Sequence, residues 1–66
     1  MERGMVKSFD RTSGSGTISR AESTDLRFNV NRLIGNRNDL HQGDRVWFEI
    51  ETMHGSHVAI NIRKIG

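Results

Sequence analysis

Short runs in which apolar and polar residues alternate dominate this chain, and no apolar repeat of helical period lasts longer than about one turn. The clearest run places Val46, Phe48 and Ile50 on one side of a strand. Other runs of this kind lie at residues 26–30 and 58–63. Because successive side chains of a strand point to opposite faces, the pattern predicts strands that each bury one face.

The first strand is predicted at residues 5–9, although its alternation is imperfect. Val6 and Phe9 cannot share one face of a regular strand, so we expect a bulge or a strong twist between them. Glycine and serine at residues 12–16 predict a turn that leads into a second strand containing Ile18.

Five short strands joined by glycine-containing turns predict a small β-barrel, since closing a sheet removes its exposed edges. Polar residues 21–25 are expected to connect the second strand to the third. Leu33, Ile34 and Leu40 are expected to close one end of the core. The predicted core residues are Val6, Ile18, Leu26, Phe28, Val30, Val46, Phe48, Ile50, Val58, Ile60 and Ile62.

The length of 66 residues predicts a single domain over residues 1–66 with a small core. The chain has no cysteine, which excludes disulfides and thiolate metal sites and favours a reducing compartment. No apolar run approaches the roughly 20 residues that a membrane span needs, and residues 1–4 do not resemble a signal peptide. We therefore expect a cytoplasmic protein that does not associate with membranes.

The formal net charge is +2, and the charges are unevenly distributed along the chain. Residues 1–37 carry seven basic and four acidic side chains, whereas residues 38–66 carry three basic and four acidic ones. A basic half can attract a polyanion. An ordinary solvated surface carries similar charges, so charge alone leaves both interpretations open.

Five segments resemble bacterial cold-shock proteins in order, spacing and total length. Residues 4–10 resemble the opening Gly-x-Val-Lys-Trp-Phe-Asn of that family. Residues 13–18 are similar to its first ribonucleoprotein motif, Lys-Gly-Phe-Gly-Phe-Ile, and residues 25–30 resemble the second, Asp-Val-Phe-Val-His-Phe. Residues 43–48 fit the Gly-x-x-Val-x-Phe of the fourth strand, and residues 55–62 resemble the closing Gly-Pro…Ala-x-Asn-Val with one residue more.

The resemblance implies an all-β fold, namely a five-stranded antiparallel OB-fold barrel of the cold-shock-domain type. It also implies binding of single-stranded RNA or DNA, as in RNA chaperones and in regulators of transcription or translation. In that family, outward aromatic rings on strands two and three stack on successive bases, while basic residues around them contact phosphates.

This chain departs from the family at its stacking positions, which carry no aromatic ring: Ser8, Ser15, Thr17, Arg27, Asn29 and Val30. Because each stacked base contributes about 1–3 kcal/mol, we expect nucleic-acid binding to be weakened or altered in mode. Arg27 can stack on a base, and the hydroxyl and amide side chains can bond base edges or a 2′-hydroxyl. The predicted nucleic-acid-binding residues are Lys7, Ser8, Phe9, Ser15, Thr17, Arg27 and Asn29.

Trp47 points away from the core by strand parity and serves either as local cover or as an anchor for a protein partner or a second copy of the chain. One alternative function is therefore a protein-interaction module on a barrel that has lost nucleic-acid binding. Another alternative is an engineered barrel without function.

Catalysis and metal binding are not expected. His54 and His57 are too few to form a zinc site, and no cysteine or carboxylate cluster completes a set of ligands. The acidic residues and serines show no spacing typical of acid–base or nucleophilic catalysis. We therefore predict no catalytic residue, no metal and no cofactor.

Overall fold

The computed structural model describes residues 1–65. Its five strands close into a barrel in the order β1-β2-β3-β5-β4, which confirms the predicted all-β barrel. The strands are β1 (Glu2–Asp10), β2 (Ser15–Arg20), β3 (Ser23–Asn29), β4 (Arg45–Met53) and β5 (Ser56–Lys64). Two short 3-10 helices, Val30–Arg32 and Arg37–Asp39, lie in the connection between β3 and β4.

One pair of strands departs from the antiparallel pattern of the predicted barrel. β3 and β5 pair in parallel, with Arg27 opposite Val58 and Phe28 opposite Ala59. The four other pairs of strands within residues 1–65 are antiparallel. Strand directions cannot alternate all the way around a closed ring with an odd number of strands. A closed five-stranded barrel therefore requires at least one parallel pair, and the predicted five-stranded OB-fold barrel is confirmed with mostly antiparallel pairing.

The irregularity predicted in the first strand is present. Val6 of β1 pairs with Ile18 of β2. The next pair in register joins Ser8 to Thr17, which leaves Lys7 as an extra residue in β1. Such a bulge bends a strand and increases its twist. The bend allows β1 to pair with β4 through its first half and with β2 through its second half.

Nine apolar side chains form the core, and each is at most 4% exposed. They are Val6, Ile18, Leu26, Phe28, Leu40, Val46, Phe48, Ala59 and Ile62. Four residues that were predicted to be buried are only half-buried: Val30, Ile50, Val58 and Ile60. The largest error therefore concerns the last strand, where Ala59 is buried in place of its two neighbours.

A bulge in β5 explains that error. Asn61 has a φ of +50°, in the left-handed region that asparagine tolerates better than most residues. The register between β4 and β5 shifts at this point, so β5 contains one extra residue. Because of the extra residue, the inward and outward positions of β5 alternate out of phase before and after the bulge. As a result Ala59 and Ile62 both point inward, whereas Val58 and Ile60 lie at the edge of the core.

The connection between β2 and β3 is shorter than predicted. β3 begins at Ser23, so the turn consists of Ala21 and Glu22 instead of residues 21–25. At its other end β3 stops at Asn29, and Val30 begins a 3-10 helix instead of extending the strand. The third strand is thus displaced toward the N-terminus relative to its predicted position.

The long connection between β3 and β4 closes one end of the barrel. Leu40 is buried as predicted, and Leu33 is half-buried against the core, whereas Ile34 is 45% exposed. The Arg11 guanidinium donates hydrogen bonds of 2.9 Å to the Arg37 carbonyl oxygen and 2.7 Å to that of Leu40. Arg11 therefore ties the turn after β1 to this connection.

Candidate nucleic-acid interface

The register of β1, β2 and β3 brings the predicted site residues together on the outside of the barrel. One row across the three strands joins Ser8, Thr17 and Arg27. The other row joins Asp10, Ser15 and Asn29. Both rows lie on one face because residues two apart in a strand point the same way. We call this surface the polar platform and define it by Ser8, Ser15, Thr17, Arg27 and Asn29.

A shallow hollow of about 340 Å³ opens on the polar platform, lined by Ser8, Phe9, Asp10, Ser15, Gly16, Thr17 and Arg27. Glycine is needed at its floor. A Cβ on Gly16 would lie 2.5 Å from the Ser8 carbonyl oxygen and 2.7 Å from the Phe28 ring. The absence of a side chain therefore allows β1 and the Phe28 ring to pack directly against β2.

Phe9 belongs partly to the wall of the barrel. Its side chain is half-buried against the core, and its ring centroid lies 5.9 Å from that of Phe28 with the planes 24° apart. The Arg11 guanidinium carbon lies 5.4 Å from the centroid of the Phe9 ring. Packing on these sides leaves only part of the ring available for a base.

Two of the predicted polar site residues, Ser15 and Asn29, already form hydrogen bonds within the protein. The Ser15 hydroxyl is 2.8 Å from the Ser13 hydroxyl. The Asn29 side-chain oxygen accepts a 3.1 Å hydrogen bond from the backbone N–H of Asn31 and so caps the first 3-10 helix. The Asn29 amide nitrogen remains available as a donor, since the cap uses only the oxygen.

The two predicted cations differ in their surroundings. Lys7 Nζ lies 2.7 Å from the Asp25 carboxylate, across β2, and both side chains are exposed. Arg27 is also exposed, and its side chain has no ion pair or hydrogen bond within residues 1–65. Arg27 is therefore the cation that can accept a phosphate or a base without first losing a partner.

Sequence reasoning missed the two acidic residues that set the charge of this surface. Asp10 lies next to the polar platform, opposite Ser15, and its carboxylate accepts a 2.9 Å hydrogen bond from the backbone N–H of Thr12. Asp25 neutralises Lys7. The resemblance offered a signal for Asp10, because the family has uncharged asparagine at that position. No sequence pattern revealed that the Lys7 side chain reaches Asp25 two strands away.

Trp47 lies on the other side of the barrel, on the outer face of β4. It is 37% exposed, as strand parity predicted, and it pairs with Arg3 of β1 and with Arg63 of β5. The Arg3 guanidinium carbon lies 5.4 Å from the centroid of the indole ring. The polar platform and Trp47 therefore occupy different faces of the barrel.

No group of three or more His, Cys, Asp or Glu side chains within residues 1–65 is arranged to hold a metal ion. The His57 ring nitrogen Nδ1 lies 2.9 Å from the Thr52 hydroxyl, so this histidine has a polar partner in β4. Over the same residues, no helix has the length and apolar character required to cross a membrane.

Comparisons with known proteins point to one family. A family model described as the "Cold-shock" DNA-binding domain matches residues 2–65. A search of curated proteins finds no match. The solved structure of drosophila Unr CSD456 is similar in fold, with a TM-score of 0.83 and 21% sequence identity over 98% of this chain. The matched part is 26% of that chain, so this protein spans about a quarter of the length of its structural neighbour.

Proposed function

The chain belongs to the "Cold-shock" DNA-binding domain family, and from this premise we propose that it binds single-stranded RNA or DNA on the polar platform, more weakly than a domain with aromatic rings there. The observation that carries the proposal is the row Ser8, Thr17 and Arg27 across three adjacent strands. This row aligns two hydroxyls on one open surface with a guanidinium that has no partner within residues 1–65. Guanidinium planes stack on bases, and hydroxyls bond base edges or the 2′-hydroxyl of RNA.

The expected affinity follows from what the polar platform lacks. Each base stacked on an aromatic ring contributes about 1–3 kcal/mol, and every 1.4 kcal/mol changes the dissociation constant about tenfold. Loss of several rings therefore lowers the affinity by orders of magnitude unless other contacts compensate. The Lys7–Asp25 ion pair and the Asp10 carboxylate weaken the attraction for phosphate further.

We place this activity with RNA chaperones or with regulators of transcription or translation, since a weak binder with little sequence preference can keep strands unpaired without holding them for long. We further propose that residues 1–66 act as one domain and that the protein acts in the cytoplasm. The absence of cysteine is compatible with a reducing compartment. Cell fractionation tests the location.

Substitution of Arg27 tests the proposed function. We expect Arg27→Ala to weaken binding of a short oligouridine about tenfold and to reduce the slope of log affinity against log salt by about 0.7, the value for one phosphate contact on a single strand. Arg27→Lys is the matched control, because it keeps the charge and loses the planar group. It should retain the salt slope and still bind less tightly than the unmodified protein. Unchanged affinity for Arg27→Ala would contradict the assignment.

A further inference from the structure

The outer face of β1, β4 and β5 carries a tryptophan between two arginines. β4 lies between β1 and β5 in the barrel, and the register aligns Arg3, Trp47 and Arg63 across the three strands. Arg45 lies two positions before Trp47 on β4 and therefore points to the same face. We define the arginine–tryptophan face by Arg3, Arg45, Trp47 and Arg63, all of which are exposed.

Among the residues that the structure describes, the arginines of this face have no acidic partner. No ion pair within residues 1–65 includes Arg3, Arg45 or Arg63, whereas Arg20 pairs with Glu2 and Arg32 pairs with Glu51. The acid that follows Trp47 on the same side of β4 is Glu49. Its carboxylate accepts a 2.8 Å hydrogen bond from the Asn61 side-chain amide and does not reach an arginine.

Arg3 packs against Trp47 on this face. Its guanidinium carbon lies over the indole, 5.4 Å from the ring centroid, and so forms a cation–π pair on the outer surface of the sheet. A hollow of about 400 Å³ adjoins this pair, and its lining includes Arg3, Met5, Arg20 and Arg45. An open concave surface thus lies next to exposed aromatic and cationic groups.

We propose that the arginine–tryptophan face is a second contact surface for single-stranded nucleic acid, where a base stacks on the indole–guanidinium layer and the neighbouring arginines contact phosphates. A stacking ring beside arginines that have no acidic partner within residues 1–65 matches a polyanion that carries flat bases. The inference deepens the proposed function, because it assumes the same class of ligand. It adds a surface on which the family's stacking positions do not lie.

A symmetric dimer through this face is disfavoured by the same charges. A twofold interface brings the same patch of both copies together. Arginines of one copy would then face arginines of the other, and like charges across an interface are costly. The apolar contribution would be small, since Met5 and Trp47 are the exposed large apolar side chains of this surface among residues 1–65.

β1 connects the two surfaces. Arg3 lies near its start and Ser8 near its end, and the bulge at Lys7 bends the strand between them. A strand that follows β1 could therefore contact the arginine–tryptophan face and the polar platform in succession. The inference consequently predicts tighter binding of a strand long enough to reach both surfaces than of one that covers a single surface.

Trp47 is the only tryptophan in the chain, so its fluorescence reports on this face alone. We expect a short oligothymidine to quench the emission in a saturable way at about 50 mM salt and much less at about 200 mM salt. Arg3→Gln combined with Arg63→Gln should lower the affinity measured by quenching at least fivefold. It should also reduce the slope of log affinity against log salt by about 1.4, the value for two phosphate contacts on a single strand. Arg32→Gln is the matched control for Arg63→Gln alone, since each removes one positive charge and only Arg63 belongs to the face.

Three outcomes would overturn the inference: no quenching at low salt with millimolar strand, equal weakening by Arg32→Gln and by Arg63→Gln alone, or a fluorescence change on dilution without nucleic acid. The last result would mark the face as a contact between copies of the chain. Amide shifts recorded on the same samples separate this inference from the proposed function. Shifts at Ser8, Thr17 and Arg27 without quenching of Trp47 would contradict only the second surface. Quenching without those shifts would contradict the polar platform and leave the arginine–tryptophan face as the binding surface.

Discussion

The polar platform and the arginine–tryptophan face lie on one barrel and differ in how their charges are satisfied. Beside the polar platform, Lys7 is paired with Asp25, and Asp10 adds a negative charge to the same side of the barrel. On the other face, Arg3, Arg45 and Arg63 have no acidic partner within residues 1–65, and the indole of Trp47 lies among them. The face that resembles the family's binding site is thus the less attractive of the two to a phosphate chain.

The outward residues of a barrel can differ while the packed core stays the same. Strand parity sends alternate residues to the inside and the outside, so the outward positions can be exchanged without a cavity or a clash in the interior. Ile18 and Leu26 are at most 2% exposed, whereas Thr17 and Arg27 beside them face outward. The stacking rings of the family are absent here while the core remains filled.

Restoring rings to the polar platform should produce the largest effect. We expect Ser8→Trp combined with Thr17→Phe to tighten binding of an oligothymidine at least about 30-fold, because each new stacked base contributes about 1–3 kcal/mol. Fluorescence anisotropy of labelled strand measures the affinity. Ser8→Leu combined with Thr17→Leu is the control, since it adds apolar area without a ring. An equal gain from the leucine pair would show that stacking is not the missing contribution.

The close packing beneath the polar platform gives the next largest effect. We expect Gly16→Ala to destabilise the protein by about 1–3 kcal/mol, because the new methyl group would overpack against the Phe28 ring and the β1 backbone. Urea denaturation measures the loss. Ser15→Ala, one residue earlier and exposed, should change the stability by no more than about 0.5 kcal/mol. Equal stability losses for both variants would contradict the inward position of Gly16.

Removing the Asp25 carboxylate would release Lys7 from its ion pair and make the surface around the polar platform more basic. Asp25→Asn should increase affinity for a single strand a few-fold and raise the magnitude of the salt slope by about 0.7, since Lys7 becomes free to contact a phosphate. Salt-dependent anisotropy checks both values. Glu22→Gln removes the same charge from a nearby exposed acid that has no ion pair within residues 1–65, and it should leave the slope unchanged. An identical response from the two variants would indicate a general effect of net charge.

The smallest effect concerns the turn before β4, which belongs to neither surface. The backbone N–H of His41 donates a 2.8 Å hydrogen bond to the Asp44 carboxylate, and Lys64 Nζ lies 3.3 Å from the same carboxylate. Both contacts lower the pKa of Asp44 below its ordinary value of 3.8, although partial burial acts in the opposite direction. A carboxyl group with a lowered pKa stabilises the fold above its unfolded pKa, and this contribution disappears as the pH falls through the lower folded pKa. The unmodified protein should therefore be more stable than Asp44→Asn by about 1 kcal/mol at neutral pH. This difference in stability should shrink below pH 3.8. Thermal unfolding at several pH values checks this, and an advantage that persists at the lowest pH would contradict the role of the ionised group.

Sequence patterns predicted the parts of the structure that depend on strand parity. They identified the bulge in β1, the inward residues of β4 and the outward position of Trp47, because each follows from counting positions along one strand. The bulge at Asn61 could not be predicted in this way. Its left-handed backbone is tolerated by asparagine but is not required by it, and the register of β5 against β4 depends on the closed barrel.

The sequence predicted that the candidate site residues lie together on one face, but it did not predict the charge around them. The resemblance placed Ser8, Thr17 and Arg27 on one face, and the strand register brings them into one row. Pairing of Lys7 with Asp25 joins residues of β1 and β3 across an intervening strand, so no local pattern contains it. The arginine–tryptophan face could not be predicted for the same reason. Arg3 lies near the start of β1, Arg63 lies near the end of β5, and Arg45 and Trp47 lie in β4. Counting charges by halves of the chain assigned Arg3 to the basic half and Arg45 and Arg63 to the acidic one.

The central claim is that this barrel binds single-stranded nucleic acid through outward residues that have replaced an aromatic surface. The most direct test is to record amide chemical shifts of labelled protein during addition of oligothymidine or oligouridine, at low salt and again near 0.3 M salt. We predict saturable shifts at Ser8, Thr17 and Arg27 and at Arg3, Trp47 and Arg63, with weaker binding at the higher salt. The absence of shifts on both faces at low salt, even with millimolar strand, would contradict the claim.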